Sequence, residues 1–172
     1  MMAWGARWLL IASLLVPKAL WAEETGAFFN QTLGDFSEEL EVAADEGKKG
    51  IFLFFETDDC PFCARMKATI LNQPDVRDYF KSHFLRFAVD AEGDLERTDF
   101  KGNVTVEKEF AKPFMGNRGA TPVLAFVDLK GELVVRYTGA TRTKDEFLML
   151  GEYYTSGKYT EMPFTKYKRS QR

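Results

Sequence analysis

The sequence predicts an α/β fold, a central mixed sheet flanked by helices and laid down as a βαβ half followed by a ββα half. Three observations carry this. Residues 50–56, Gly-Ile-Phe-Leu-Phe-Phe-Glu, are a continuous apolar run between turn formers, too short for a buried helix and typical of a central strand covered on both faces. Helical and strand-like patterns then alternate as far as Asp90. Beyond Pro122, two strand patterns meet across Leu129-Lys130-Gly131, and a helix-start signal follows them.

Each element has its own justification. Residues 37–46 are good helix formers with Leu40, Ala43 and Ala44 at helical spacing, ending near Gly47. After the strand at 50–56 comes a polar turn, Thr57-Asp58-Asp59. A helix is expected over 60–72 with Met66 and Ile70 inward, stopped by Pro74. Residues 75–81 read as a short helical piece and 84–90 as a second strand. The acidic insertion 94–103 turns at Lys101-Gly102, and Asp99 within it is read as capping that turn rather than holding a ligand. A helix over 105–112 is expected to close at Pro113. Strands at 123–128 and 132–137 form the hairpin, and Thr143 with Glu146 makes a capping box for a last helix running to about Tyr154.

Composition narrows the class. With 45% hydrophobic and 28% charged residues at net charge −3, the 172-residue chain is an ordinary globular one, which excludes disorder, collagen and coiled coil. The near-balanced charge gives no electrostatic reason to expect nucleic acid. The start of the chain differs: Arg7 precedes an apolar run over 8–16 that Pro17 breaks before Ala22. That run is about half of the ~20 residues a membrane-crossing helix needs, so residues 1–22 are expected to be a signal peptide cleaved after Ala22, with export to the periplasm. Removing a segment that holds Arg7, Lys18 and no acid leaves 150 residues at net charge −5. The mature chain, 23–172, is expected to be a single domain filled by its 16 phenylalanines, with a basic tail from about 155 (Lys166, Lys168, Arg169 and Arg172) reading as a solvated end.

The chemistry lies in the only two cysteines. Cys60-Pro61-Phe62-Cys63 stands where a buried strand turns into a helix, so Cys60 falls at the helix N-terminus, where backbone N–H groups and the helix dipole favour a thiolate. Cys63, one turn inward, is placed to resolve a mixed disulfide by attacking Cys60. A purely structural disulfide closing so short a loop gains only about 2 kcal/mol, a poor place for a staple. Zinc needs four ligands, and the chain has two cysteines and one histidine, His83, which is read as solvent-facing or satisfied. Capture of Cu(I) by the same dithiol stays open, because soft metals and redox exchange want the same thiolates. A catalytically idle binding domain is the third alternative.

The dithiol, together with Thr121-Pro122 opening the ββα half, resembles the thioredoxin superfamily over roughly 37–154. Within it, Phe54-Phe55-Glu56, the Cys-Pro-Phe-Cys motif, Thr98-Asp99-Phe100-Lys101-Gly102, Ala120-Thr121-Pro122 and Phe147-Leu148-Met149-Leu150 are most similar to SoxW-type periplasmic thioredoxins. The resemblance implies a thioredoxin-like fold, thiol-disulfide oxidoreductase activity, a cis bond before Pro122, and substrate binding by Thr121, Pro122, Pro61 and Phe62. It implies no metal and no organic cofactor. The partners expected are disulfide-containing protein clients, those of sulfur oxidation among them, and a membrane electron donor; no nucleic acid is expected, and the protein should be a monomer. Two departures matter. Asp59 stands where the common motif has tryptophan, and Phe54 stands where the superfamily often keeps a buried acid for proton transfer to the second cysteine. Glu56 is a candidate substitute for that acid, with an ordinary strand-end carboxylate as the plainer reading.

Overall fold

The structure is a computed structural model that describes residues 28–116 and 119–171. The expected signal peptide lies outside them.

Four strands form the main sheet: β1 (Gly50–Glu56), β2 (Phe84–Asp90), β5 (Val123–Val127) and β6 (Leu133–Thr138), in the spatial order β2-β1-β5-β6. β1 runs parallel to β2 and antiparallel to β5, and β5 is antiparallel to β6, so the sheet is mixed. Because side chains alternate along a strand, β1 sends Phe52 and Phe54 to one face and Ile51, Leu53 and Phe55 to the other. The first face is covered by α2 (Pro61–Met66), α3 (Pro74–His83) and α5 (Lys144–Thr155), and the second by α1 (Phe36–Asp45) and α4 (Glu107–Met115). Aromatic rings fill both layers. Phe80 stacks on Phe147 at 4.3 Å between ring centres, and Phe36 stacks on Phe110 at 4.5 Å. Truncating such a ring to alanine costs about 3–5 kcal/mol.

The strands at 50–56 and 84–90 fall where the sequence puts them, and α1 is capped by the Asp35 carboxylate, which accepts from the Ser37 and Glu38 N–H groups. Other elements differ. The insertion pairs as a small separate hairpin, β3 (Glu96–Thr98) with β4 (Val104–Val106), because the β-branched run Val104-Thr105-Val106 extends rather than opening a helix. The turn between them is as expected: Asp99 Oδ1 accepts from the Lys101 and Asn103 N–H groups. Pro113 does not close α4 but sits inside it, since at that depth it removes one hydrogen bond of the last turn while buried Phe110, Ala111 and Phe114 hold the helix. The helix ends at Gly116, whose φ of 68° is accessible to glycine. The expected continuous helix after Cys60 relaxes into a π-turn over Lys67–Leu71, which lets the adjacent Ile70 and Leu71 both be buried.

The C-terminal tail is folded: Lys166 and Arg169 are exposed as expected, Lys168 is drawn against Glu146, and Arg172 lies outside the described residues. A 3₁₀ turn (Lys158–Thr160) leads to α6 (Phe164–Ser170), whose Tyr167 is buried against Tyr153 of α5. Glu146 is the anchor. Its carboxylate accepts from Lys168, from the Tyr137 hydroxyl and from the Arg142 N–H, one residue before the partner a regular capping box would use. Burial opposes ionisation of Glu146, but the hydrogen bonds from Lys168 and Arg142 and the Lys168 charge outweigh it and hold the carboxyl below its ordinary value of 4.5. A depressed folded-state value contributes stability that is present above the unfolded value and lost as pH falls through the folded one. Hydrogen exchange of α6 is therefore expected to accelerate on acidification below about 4.5. Lys168→Met, which strands the buried carboxylate, is expected to destabilise the protein by about 1–3 kcal/mol at neutral pH in urea unfolding.

Candidate functional site

β1 ends at Glu56, and the turn Thr57-Asp58-Asp59 delivers the chain into α2 with Cys60 as its N-cap and Pro61 in the first turn, where a missing N–H costs nothing. Cys60 and Cys63 are joined as a disulfide with their Cα atoms 5.2 Å apart. The two sulfurs differ in environment. Cys60 is 7% exposed and Cys63 1%, and the Cys63 N–H donates to Cys60 Sγ at 3.1 Å. A backbone N–H aimed at this sulfur is of the kind that favours a thiolate over a thiol. Met66 and Ile70 continue the buried face of this helix, as the sequence spacing predicts.

The other expected site residues gather around this turn. The Thr121–Pro122 bond is cis, and the Thr121 hydroxyl lies 3.4 Å from that of Thr57, which ties the start of β5 to the turn entering Cys60. Pro122 is buried, and Phe62, between the cysteines, is 59% exposed. Glu56 lines a cleft of about 270 Å³ together with Asp58, Cys60, Cys63, Lys67 and Asp90. Its Oε1 is 2.5 Å from Lys67 Nζ. His83 is satisfied away from the cleft by the Tyr79 carbonyl and the Ser82 hydroxyl.

Asp90 and Thr57 have no role that the sequence suggests, and Lys67 reads there only as a cation too far along the helix to offset Asp58 and Asp59 fully; Lys67 and Asp90 nonetheless carry a signal. Lys67 follows Cys63 by four residues and so lies on the same helical stripe. Asp90 ends a strand of the same length as β1, and the parallel register sets it directly beside Glu56. The two cations that follow the dithiol, Arg65 of α2 and Lys67 of the π-turn, are both engaged: Arg65 Nη2 donates to the Thr141 carbonyl at 3.0 Å, and Lys67 is held by Glu56.

A family model for a thioredoxin-like domain matches residues 36–155, well over half of the chain. The chain belongs to the thioredoxin-like family. Three solved structures show the same fold. A thioredoxin-fold protein from Helicobacter pylori is 24% identical with a TM-score of 0.58, over 72% of this chain and 82% of its own. A thioredoxin from Thermus thermophilus is 24% identical at 0.52, over 69% and 82%. A candidate disulphide-isomerase from Bacteroides thetaiotaomicron is 29% identical at 0.54, over 73% and 93%. Among proteins of curated function none matches. The thioredoxin-like match starts at Phe36 and ends at Thr155, so residues 28–35 and α6 lie outside it.

The difference in exposure between the cysteines sets an order of reaction. When the reduced protein is pulsed with iodoacetamide at neutral pH, Cys60 should be modified first, with Cys63 protected until the chain unfolds. Fragment-ion mass spectrometry of the peptide that holds both reads the order directly.

Proposed function

We propose that the protein is an exported thiol-disulfide oxidoreductase that reduces disulfides in periplasmic protein clients. The observation that carries the reading is the asymmetric dithiol at a helix N-terminus, Cys60 at the rim with an N–H aimed at its sulfur and Cys63 buried behind it. Cys60 thiolate attacks a client disulfide, one client sulfur leaves as a thiol, and a mixed disulfide forms. Cys63 then attacks Cys60, the second client sulfur leaves, and the Cys60–Cys63 disulfide remains. Two electrons pass from the dithiol to the client, so no organic cofactor is required. Thr121, Pro122, Pro61 and Phe62 form the surface on which an extended client segment would lie. The motifs similar to SoxW-type thioredoxins favour clients of sulfur oxidation and a monomeric protein recharged by a membrane electron donor.

Replacing Cys63 by Ser should accumulate covalent client complexes on non-reducing gels, and replacing Cys60 should abolish them. Trapping by the Cys60→Ser protein alone would reverse the two roles and overturn this reading.

Direction follows from local charge. Asp58 and Asp59 are exposed immediately before Cys60 and disfavour the thiolate that the helix terminus favours, while Arg65 is held by the Thr141 carbonyl and the charge of Lys67 is offset by Glu56. A less stabilised thiolate means a less stable reduced form and a less oxidising couple. Equilibration with glutathione should give a potential nearer the roughly −270 mV of thioredoxin than the roughly −120 mV of DsbA. A value well above about −200 mV would make the protein an oxidant or isomerase instead.

A further inference from the structure

Residues 28–30 precede the family match and strap the N-terminal end of the described chain across the dithiol side of the sheet. Both ends of the strap are anchored. Phe28 is buried, with its ring 5.5 Å from that of Phe80 and 6.0 Å from those of Phe52 and Phe147. Asn30 donates its N–H to the Arg86 carbonyl at 2.7 Å, and its Oδ1 accepts from Arg86 N, Nε and Nη2 at 3.0, 3.2 and 2.9 Å. Between these anchors Phe29 lies against Phe54, ring centres 5.6 Å apart, with Lys67 Nζ 5.9 Å from its own centre. A cation at that distance from a ring is attracted to it. Phe29 and Glu56 therefore hold Lys67 from two sides.

We propose that this strap tunes the dithiol: Phe29 keeps Lys67 against Glu56, and the ion pair sets how readily Cys63 gives up its proton in the resolving step. The inference rests on Cys63 being the resolving thiol. In that step the Cys63 thiol loses a proton into the cleft, its thiolate bonds to Cys60, and the Cys60–client bond breaks, with the departing client sulfur taking up a proton. The charged groups facing the cleft are Glu56 from β1, Asp58 from the turn, Asp90 from the end of β2 and Lys67 from the dithiol helix. The core cluster that Cys63 joins draws Val76 and Phe80 from α3 and Phe147, Leu150, Tyr153 and Tyr154 from α5, and no carboxylate or cation. Lys67 is thus the one cation among the described residues lining the cleft, set against three carboxylates. Phe54 fills the adjoining space with hydrocarbon, buried beneath Phe29, so nothing there buffers a proton in their place. Phe29 and Lys67 are positioning residues. Neither touches the reacting sulfurs.

The two members of the pair should act with opposite sign, which a structural role would not produce. In a Cys60→Ser background Cys63 is the chain's one thiol, and its ionisation can be followed through the ¹³Cβ shift against pH. Lys67→Met leaves the carboxylates unopposed and should raise the midpoint by about 0.5–1 pH unit; Glu56→Gln leaves the cation unopposed and should lower it by a similar amount. Lys67→Arg should hold the midpoint in place. Phe29→Ala should shift it in the direction of Lys67→Met by less, and Phe29→Leu serves if the alanine variant unfolds. If Lys67→Met and Glu56→Gln move the midpoint the same way, or leave it unmoved, the ion pair has no such role. If the Phe29 variants leave it unmoved while Lys67→Met shifts it, the strap has none. Turnover of a disulfide-bonded protein by the unmodified dithiol is measured separately, and its absence would sink the proposed function without touching the titration.

Discussion

From Ile51 to Phe55, strand β1 carries no polar side chain, and each of these residues is fully buried, so both faces of the sheet have to be kept from water. Alternation then dictates the layers: 51, 53 and 55 call for α1 and α4, and 52 and 54 for α2, α3 and α5. The place of the dithiol follows. The chain leaves β1 at Glu56 and has only four residues, Thr57 to Cys60, before α2 must lie on the face of Phe52 and Phe54. That geometry puts Cys60 at the rim as N-cap and turns Cys63 inward toward the aromatic layer.

The two sides of the dithiol differ in kind. Below it the packing is aromatic and offers the sulfurs no charge; above it the strand ends and the connecting turn present carboxylates. The parallel register pairs Gly50 with Phe84 at one end, so strands of equal length finish side by side and Glu56 and Asp90 are neighbours. A lysine one helical turn beyond Cys63 answers one of them. The exposed Asp58 and Asp59 have no such partner among the described hydrogen bonds and ion pairs that engage Glu56, and they face the approach to Cys60.

Local chemistry was legible in the sequence and long-range pairing was not. β1 and β2 are readable to the residue, because a short apolar run between turn formers admits one interpretation. The Cys-Pro-Phe-Cys motif and its helix terminus are readable for the same reason. Val104-Thr105-Val106 is less so: its extended form depends on Glu96–Thr98 across a turn, and a reading by helical spacing absorbs it into α4. The C-terminal helix hid behind its charge, since Lys168 looks like a solvated residue until Glu146, twenty-two positions earlier, is found beneath it. Glu56 was visible as a candidate, whereas its partner required knowing that the dithiol helix lies over the end of β1. The strap was the least legible element, three residues whose contacts are all with distant positions.

β2 is a border strand of the main sheet, with β1 on one side and the N–H and C=O of Arg86 directed to the other. Unpaired border groups of that kind are a template on which a foreign chain can add itself as another strand. Asn30 occupies both, donating with its backbone and accepting with its side chain, in the manner of a one-residue strand that ends where it begins. The arginine beneath is buried and committed to the same asparagine, so an intruding peptide would have to displace the backbone pairing and leave a guanidinium without an acceptor. Under the proposed function, in which clients present extended segments, closing this border at Arg86 removes one strand template that would compete with the backbone beside Thr121.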